Sequence, residues 1–99
     1  MADTVYKIDE IKELLYPVFK QNRVKSAILF GSYAKGNAWE KSDIDLLIDS
    51  DLIGLDFVGL IEYIHLALNK PVDVINTRSI KEGSYIHKEI QSIGITIYG

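Results

Sequence analysis

Asp43 and Asp45 stand two positions apart at the head of an apolar run, Asp43-Ile44-Asp45-Leu46-Leu47-Ile48. Ionised carboxylates are costly beside an apolar core unless a cation, a charge partner or strong hydrogen bonds meet them. On a strand, residues two apart project to the same side, with Cα atoms roughly 6.5 Å apart at about 3.3 Å of rise per residue. Two carboxylates placed in this way can converge on one or two divalent ions. Mg²⁺ suits them, because it prefers oxygen ligands and is usually held by one or two carboxylates plus substrate phosphates. Taken alone, such a pair is more often a capped turn followed by a solvated strand end.

Two further features change the balance. Gly31-Ser32 follows the apolar segment Val24 to Phe30. A Gly-Ser turn leading into a helix offers free backbone N–H groups and a hydroxyl to an anion, with the helix dipole adding to the attraction. Gly31 also lets a phosphate approach the backbone closely. Asp73, between Val72 and Val74, becomes a third carboxylate of the same site if its strand lies beside the one that starts at Asp43. Three such groups would repel strongly without bound cations. A phosphate cradle with a carboxylate cluster makes a site for a metal-bound triphosphate.

The elements that must position these residues can be read from periodicity. Ile8, Ile11, Leu15, Val18 and Phe19 recur at helical spacing up to about Asn22, with Asp9 and Glu10 suited to the N-terminal turn. Pro17 is expected to kink or divide that helix. Val24 to Phe30 reads as a buried strand, Ser32 to Gly36 as a short helix or turn, and the stretch through Ser42 as a polar loop. Asp43 to Asp49 forms a second strand, with Asp43, Asp45 and Leu47 on one face and Ile44, Leu46 and Ile48 on the other. Leu55 to Lys70 is the clearest helix, through Phe57, Leu60, Ile61, Ile64 and Leu68, and Pro71 closes it. Val72 to Ile75 is a third strand, Lys81 to Ser92 a last helix, and Ile95 to Tyr98 an edge strand. This alternation predicts an α/β (α+β) architecture, a small mixed sheet flanked by helices.

Composition narrows the functions. The 99 residues, 47% hydrophobic, are expected to form a single domain over 1–99. A net charge of −3, from 11 basic and 14 acidic residues without a basic run, argues against tracking long nucleic acid. With no cysteine, thiol nucleophiles and zinc-thiolate sites are excluded. Met1 to Lys7 lacks a signal-peptide apolar stretch and no segment resembles a membrane span, so a cytoplasmic location without membrane contact is expected.

Gly31, Ser32, Ala34, Lys35 and Gly36, then Ser42-Asp43-Ile44-Asp45-Leu46 with ten residues between Ser32 and Asp43, resemble the defining motif of the minimal nucleotidyltransferases. These are small members of the DNA polymerase β-like nucleotidyltransferase superfamily. Asp73 in "PVDVI" matches the third acidic position of that motif set, and the likeness extends over nearly the whole chain from Ile8. Lys35 stands where an Arg is more usual, keeping the charge without the bidentate fork; solvent and a phosphate are both open to it. The resemblance implies a polymerase β palm-like fold and a two-metal transfer of AMP from ATP to a hydroxyl. Asp43, Asp45 and Asp73 would be the catalytic, Mg²⁺-binding carboxylates, and Gly31, Ser32 and Lys35 would bind the nucleotide.

Minimal nucleotidyltransferases of this kind commonly accompany a small HEPN protein, an RNase toxin, and act as its antitoxin. The resemblance therefore implies AMP transfer to a toxin tyrosine. Two alternatives stay open: a non-catalytic antitoxin that occludes its partner, and a small-molecule nucleotidyltransferase acting on an antibiotic-like hydroxyl. A homodimer or a hetero-oligomer would fit either. Outside the motif, His65 and His87 read as solvated, Asp49 lies roughly 13 Å beyond Asp45 along the strand, and Arg78 has no assigned direction. The six Tyr and Trp39 read chiefly as core or interface material, with Tyr33 and Trp39, near the motif, also candidates to touch a base or a partner.

Overall fold

The computed structural model describes residues 5–99, so Met1 to Thr4 of the stretch searched for a signal peptide lie outside the described residues. Four strands, β1 (Val24–Phe30), β2 (Ile44–Ser50), β3 (Val72–Asn76) and β4 (Ile95–Tyr98), form one mixed sheet in the order β3-β2-β1-β4. β1 pairs antiparallel with both β2 and β4, whereas β2 and β3 are parallel. The parallel pair is joined by α3 (Leu55–Leu68), the helical crossover that parallel neighbours require. The mixed sheet and the edge position of β4 agree with the sequence expectation.

Alternation along β2 divides the molecule into two sides. Ile44, Leu46 and Ile48 are fully buried against α3 and α1 (Ile8–Gln21), in a core that includes Ile11, Leu15, Phe19, Leu60, Ile64 and Leu68. On the opposite face, Leu47 and Phe30 pack with Ile90 of α4 (Tyr85–Ile93), supported by Ile28, Ile75 and Ile80. Asp45 shares that second face, which the smaller apolar cluster covers only in part. The sheet thus has one side given to stability and one available to a site.

Several element limits differ from expectation for identifiable reasons. α1 runs unbroken through Pro17. Pro17 and Glu13 are both exposed, so the carbonyl that loses its i+4 donor can turn to water. α3 stops at Leu68 because Asn69 adopts a left-handed conformation, φ 50°. α4 starts at Tyr85 rather than Lys81: Gly83 has φ 79°, and the Ser84 hydroxyl then accepts from the His87 N–H at 3.2 Å as an N-cap. β2 starts at Ile44, which leaves Asp43 one residue before the strand.

Lys70 was expected at the end of a helix and instead turns inward, 1% exposed, donating from Nζ to the Glu40 carbonyl at 2.9 Å. That bond ties the turn after α3 to the loop before β2. Beside it, the Ile44 N–H donates to the Pro71 carbonyl at 3.2 Å, which begins the parallel pairing. The loop is closed locally by the Ser42 N–H on the Trp39 carbonyl (2.8 Å) and the Trp39 N–H on the Ser42 hydroxyl (3.0 Å).

An interior proline costs a helix roughly 3 kcal/mol, offset in part by the stiffer unfolded chain. Pro17→Ala should therefore stabilise the fold by about 1–2 kcal/mol, seen as a higher urea midpoint at unchanged m-value.

Candidate active site

Asp45 and Asp73 are register partners on the parallel strands β2 and β3. Neighbouring strands lie about 4.8 Å apart, so the two carboxylates leave the sheet side by side. On its other flank Asp45 faces Phe30, the last residue of β1. The chain then turns at Gly31 into α2 (Gly31–Lys35). Gly31 is buried with φ 72°, and a Cβ added there would overlap the Asp45 carboxylate. Glycine is required twice at this point, by backbone conformation and by the close approach of Asp45.

The carboxylates differ in exposure. Asp45 is half-buried, whereas Asp43 and Asp73 are exposed. Burial first, then the charges of Asp73, Asp43 and Glu89, push the Asp45 carboxyl up to about 6. Local negative charge is thus in excess, the condition that a bound cation relieves. Among the described residues, however, no three His, Cys, Asp or Glu side chains are grouped closely enough to enclose a metal ion by themselves. Asp43 and Asp73 are near enough to act on the Asp45 charge, but the three do not close into one convergent group. Such a set fits Mg²⁺, which completes its shell with phosphate oxygens and water.

α2 is five residues long and opens with Gly31 and Ser32. In so short a helix the summed dipole is small, and the local N–H groups and the Ser32 hydroxyl are what an anion would meet. The Gly36 and Asn37 N–H groups both turn back to the Ser32 carbonyl, closing the far end. Lys35 is exposed at that end and lines a cavity with α4.

The remaining candidates separate clearly. Tyr33 is 4% exposed within the main core, so it is unavailable to a base or a partner, while Trp39 is 61% exposed. Arg78 acts electrostatically on Lys25, which pairs with Asp51 at 3.0 Å, and so belongs to the end of the sheet remote from Asp45. Asp49 accepts from Thr77 Oγ1 at 3.4 Å, away from the cluster. His65 is exposed as expected, but His87 is half-buried and its Nδ1 accepts from the Gly83 N–H at 2.9 Å. His87 is thus part of the turn into α4.

Glu89, Tyr85 and Lys70 were not singled out from sequence. Glu89 precedes the buried Ile90, so helical phase puts it at the edge of the buried stripe, but phase alone does not say which face of the sheet that stripe covers.

A family model described as "Polymerase beta, Nucleotidyltransferase" matches residues 11–99. The chain belongs to this nucleotidyltransferase family. It is 35% identical over 82 residues to the protein adenylyltransferase MntA of Thermococcus cleftensis, covering 77% of this chain and 83% of that protein. A Methanocaldococcus jannaschii protein that carries the provisional name protein adenylyltransferase is 38% identical over 92 residues, covering 85% and 91%. Among solved structures, a toxin-antitoxin with AMP-PNP superposes with a TM-score of 0.75 at 23% identity, over 89% of this chain and 73% of that one. The complex of a tri-AMPylated Shewanella oneidensis HEPN toxin with its MNT antitoxin gives a TM-score of 0.70 at 20% identity, over 93% and 72%. At those identities the structural likeness establishes the nucleotidyltransferase fold.

Because the folded state holds the Asp45 proton more tightly than an unfolded chain does, stability falls as pH rises from about 4 to 6 and stays lower above. In a chelator, Asp45→Asn should raise Tm at pH 7.5 by on the order of 5 °C, allowing for partial solvent screening, and the gain should vanish by pH 4. Thermal melts at the two pH values check this; a pH-independent difference would count against the charge cluster. Gly31→Ala should cost at least the roughly 1–2 kcal/mol of a left-handed alanine, measurable by urea unfolding.

Proposed function

We propose that this nucleotidyltransferase moves AMP from ATP to a tyrosine hydroxyl of a HEPN RNase toxin and acts in the cytoplasm as that toxin's antitoxin. The observation that carries the transfer chemistry is the placement of Asp45 beside Asp73 with Gly31 against the Asp45 carboxylate. The names of the relatives, protein adenylyltransferases, support a protein as acceptor. The HEPN toxin bound in a structural neighbour supports the kind of protein.

In this account Asp43 and Asp45 would hold Mg²⁺ beside the triphosphate, and Asp73 stands on the acceptor side. Mg²⁺, when bound, neutralises charge on the triphosphate and lowers the pKa of the attacking hydroxyl. Gly31 and Ser32 orient the β- and γ-phosphates with backbone N–H groups and a hydroxyl, and Lys35 adds a cation nearby. The tyrosine oxygen attacks the α-phosphorus in line, and the bond from that phosphorus to the α,β-bridging oxygen breaks. Asp73 takes the tyrosine proton, and pyrophosphate leaves. The products are AMP-tyrosine and pyrophosphate. The added phosphate charge and bulk close the toxin's RNA-binding surface by repulsion and occlusion.

Intact-mass measurement of a HEPN partner co-expressed with this chain tests the proposal. The partner should be heavier by whole AMP units with the native chain and unmodified with Asp43→Asn or Asp45→Asn. Full neutralisation of the toxin by both variants, without any mass change, would favour a non-catalytic antitoxin instead.

A further inference from the structure

A cavity of about 320 Å³ lies between α2 and α4, lined by Lys35, Tyr85, Lys88, Glu89, Ser92 and Ile93. Its volume is at the low end of small-molecule sites, the size for one nucleoside rather than a whole triphosphate. Two connections join it to the carboxylate cluster. Glu89 is close enough to Asp45 to act on its charge. α2 carries Gly31 and Ser32 at one end and Lys35 at the other, about 6 Å apart along the axis at 1.5 Å per residue.

The wall has the chemistry of a nucleoside seat. Tyr85 is 81% exposed, an aromatic face with little to bury it in the folded chain. Tyr85, Glu89 and Ser92 fall at i, i+4 and i+7, one face of α4. A base can stack on the tyrosine, while the carboxylate and hydroxyl can meet ribose hydroxyls or an exocyclic amino group. Lys35 and Lys88 add two cations to the lining. The larger cavity, about 460 Å³, shares Tyr85 but is lined by no residue of α2, and so has no such connection to the phosphate cradle.

We infer that the groove between α2 and α4 seats the nucleoside of the donor triphosphate, with Tyr85 as its stacking surface. The inference rests on the nucleotidyl-transfer proposal and adds to it the part of the chain that grips the donor's non-reacting end. Gly31, Ser32 and the carboxylates hold the phosphates; α4 holds the nucleoside.

Calorimetric titration with ATP and, separately, with inorganic tripolyphosphate, both in Mg²⁺, tests this. Tyr85→Ala should weaken ATP about tenfold, the scale of one lost base stack, and leave tripolyphosphate unchanged. Tyr85→Phe should retain ATP affinity. Because Tyr85 is so exposed, neither change should disturb the fold, which circular dichroism checks. Unaltered ATP affinity in Tyr85→Ala, or equal weakening of both ligands, overturns the inference alone, provided Asp43→Asn still weakens ATP. Failure of the native chain to bind either ligand overturns the transfer proposal together with this inference.

Discussion

The parallel register that sets Asp45 beside Asp73 is the constraint on which the site depends. Two carboxylates about 4.8 Å apart at the Cα level repel, and the half-burial of Asp45 strengthens the repulsion by removing water. The register nonetheless holds because β2 has no alternative. A slip of β2 by one residue would drive Ile44, Leu46 and Ile48, all fully buried, to the site face and Asp45 into the core. Core packing on one face thus fixes an electrostatically unfavourable arrangement on the other. Strain of this kind, held by the rest of the fold, is what a site that binds a cation requires.

Gly31 connects this charge pair to the anion-binding turn. Since Asp45 fills the space where a Cβ would stand, the backbone that would hold phosphate and the carboxylate that would hold metal are in contact. A phosphate with its counter-ion bound here would therefore find both halves of its environment already in place, so that less ordering entropy opposes binding.

Much of this was legible in the sequence because the chemistry is local. Asp43, Asp45, Gly31 and Ser32 are joined by one short loop, and strand parity put Asp45 and Leu47 on the face opposite Ile44, Leu46 and Ile48, as the structure has them. Asp73 could be placed only conditionally, since its pairing depends on a crossover that periodicity does not orient. Lys70 and Glu89 were not legible for a related reason. A lysine usually marks a surface, yet Lys70 turns inward to reach Glu40 across a long sequence separation. Tyr33 follows the Gly-Ser motif by one residue and still belongs to the core. Pro17 does not divide α1, because a helix-breaking propensity is tolerated where the orphaned carbonyl is solvated.

The gradient of exposure across the cluster bears on what could serve as acceptor. Asp45 is half-buried between β1 and β3, while Asp43 and Asp73 open to solvent. A small hydroxyl substrate would need walls to fix its attack within the narrow geometry that in-line transfer demands. Exposed carboxylates leave that task to the acceptor itself. A folded protein that brings its own rigid surface can place a tyrosine oxygen without a deep pocket in the enzyme, and the exposed Trp39, four residues before Asp43, offers such a surface an apolar contact. The openness of the site is thus in keeping with the proposed protein acceptor.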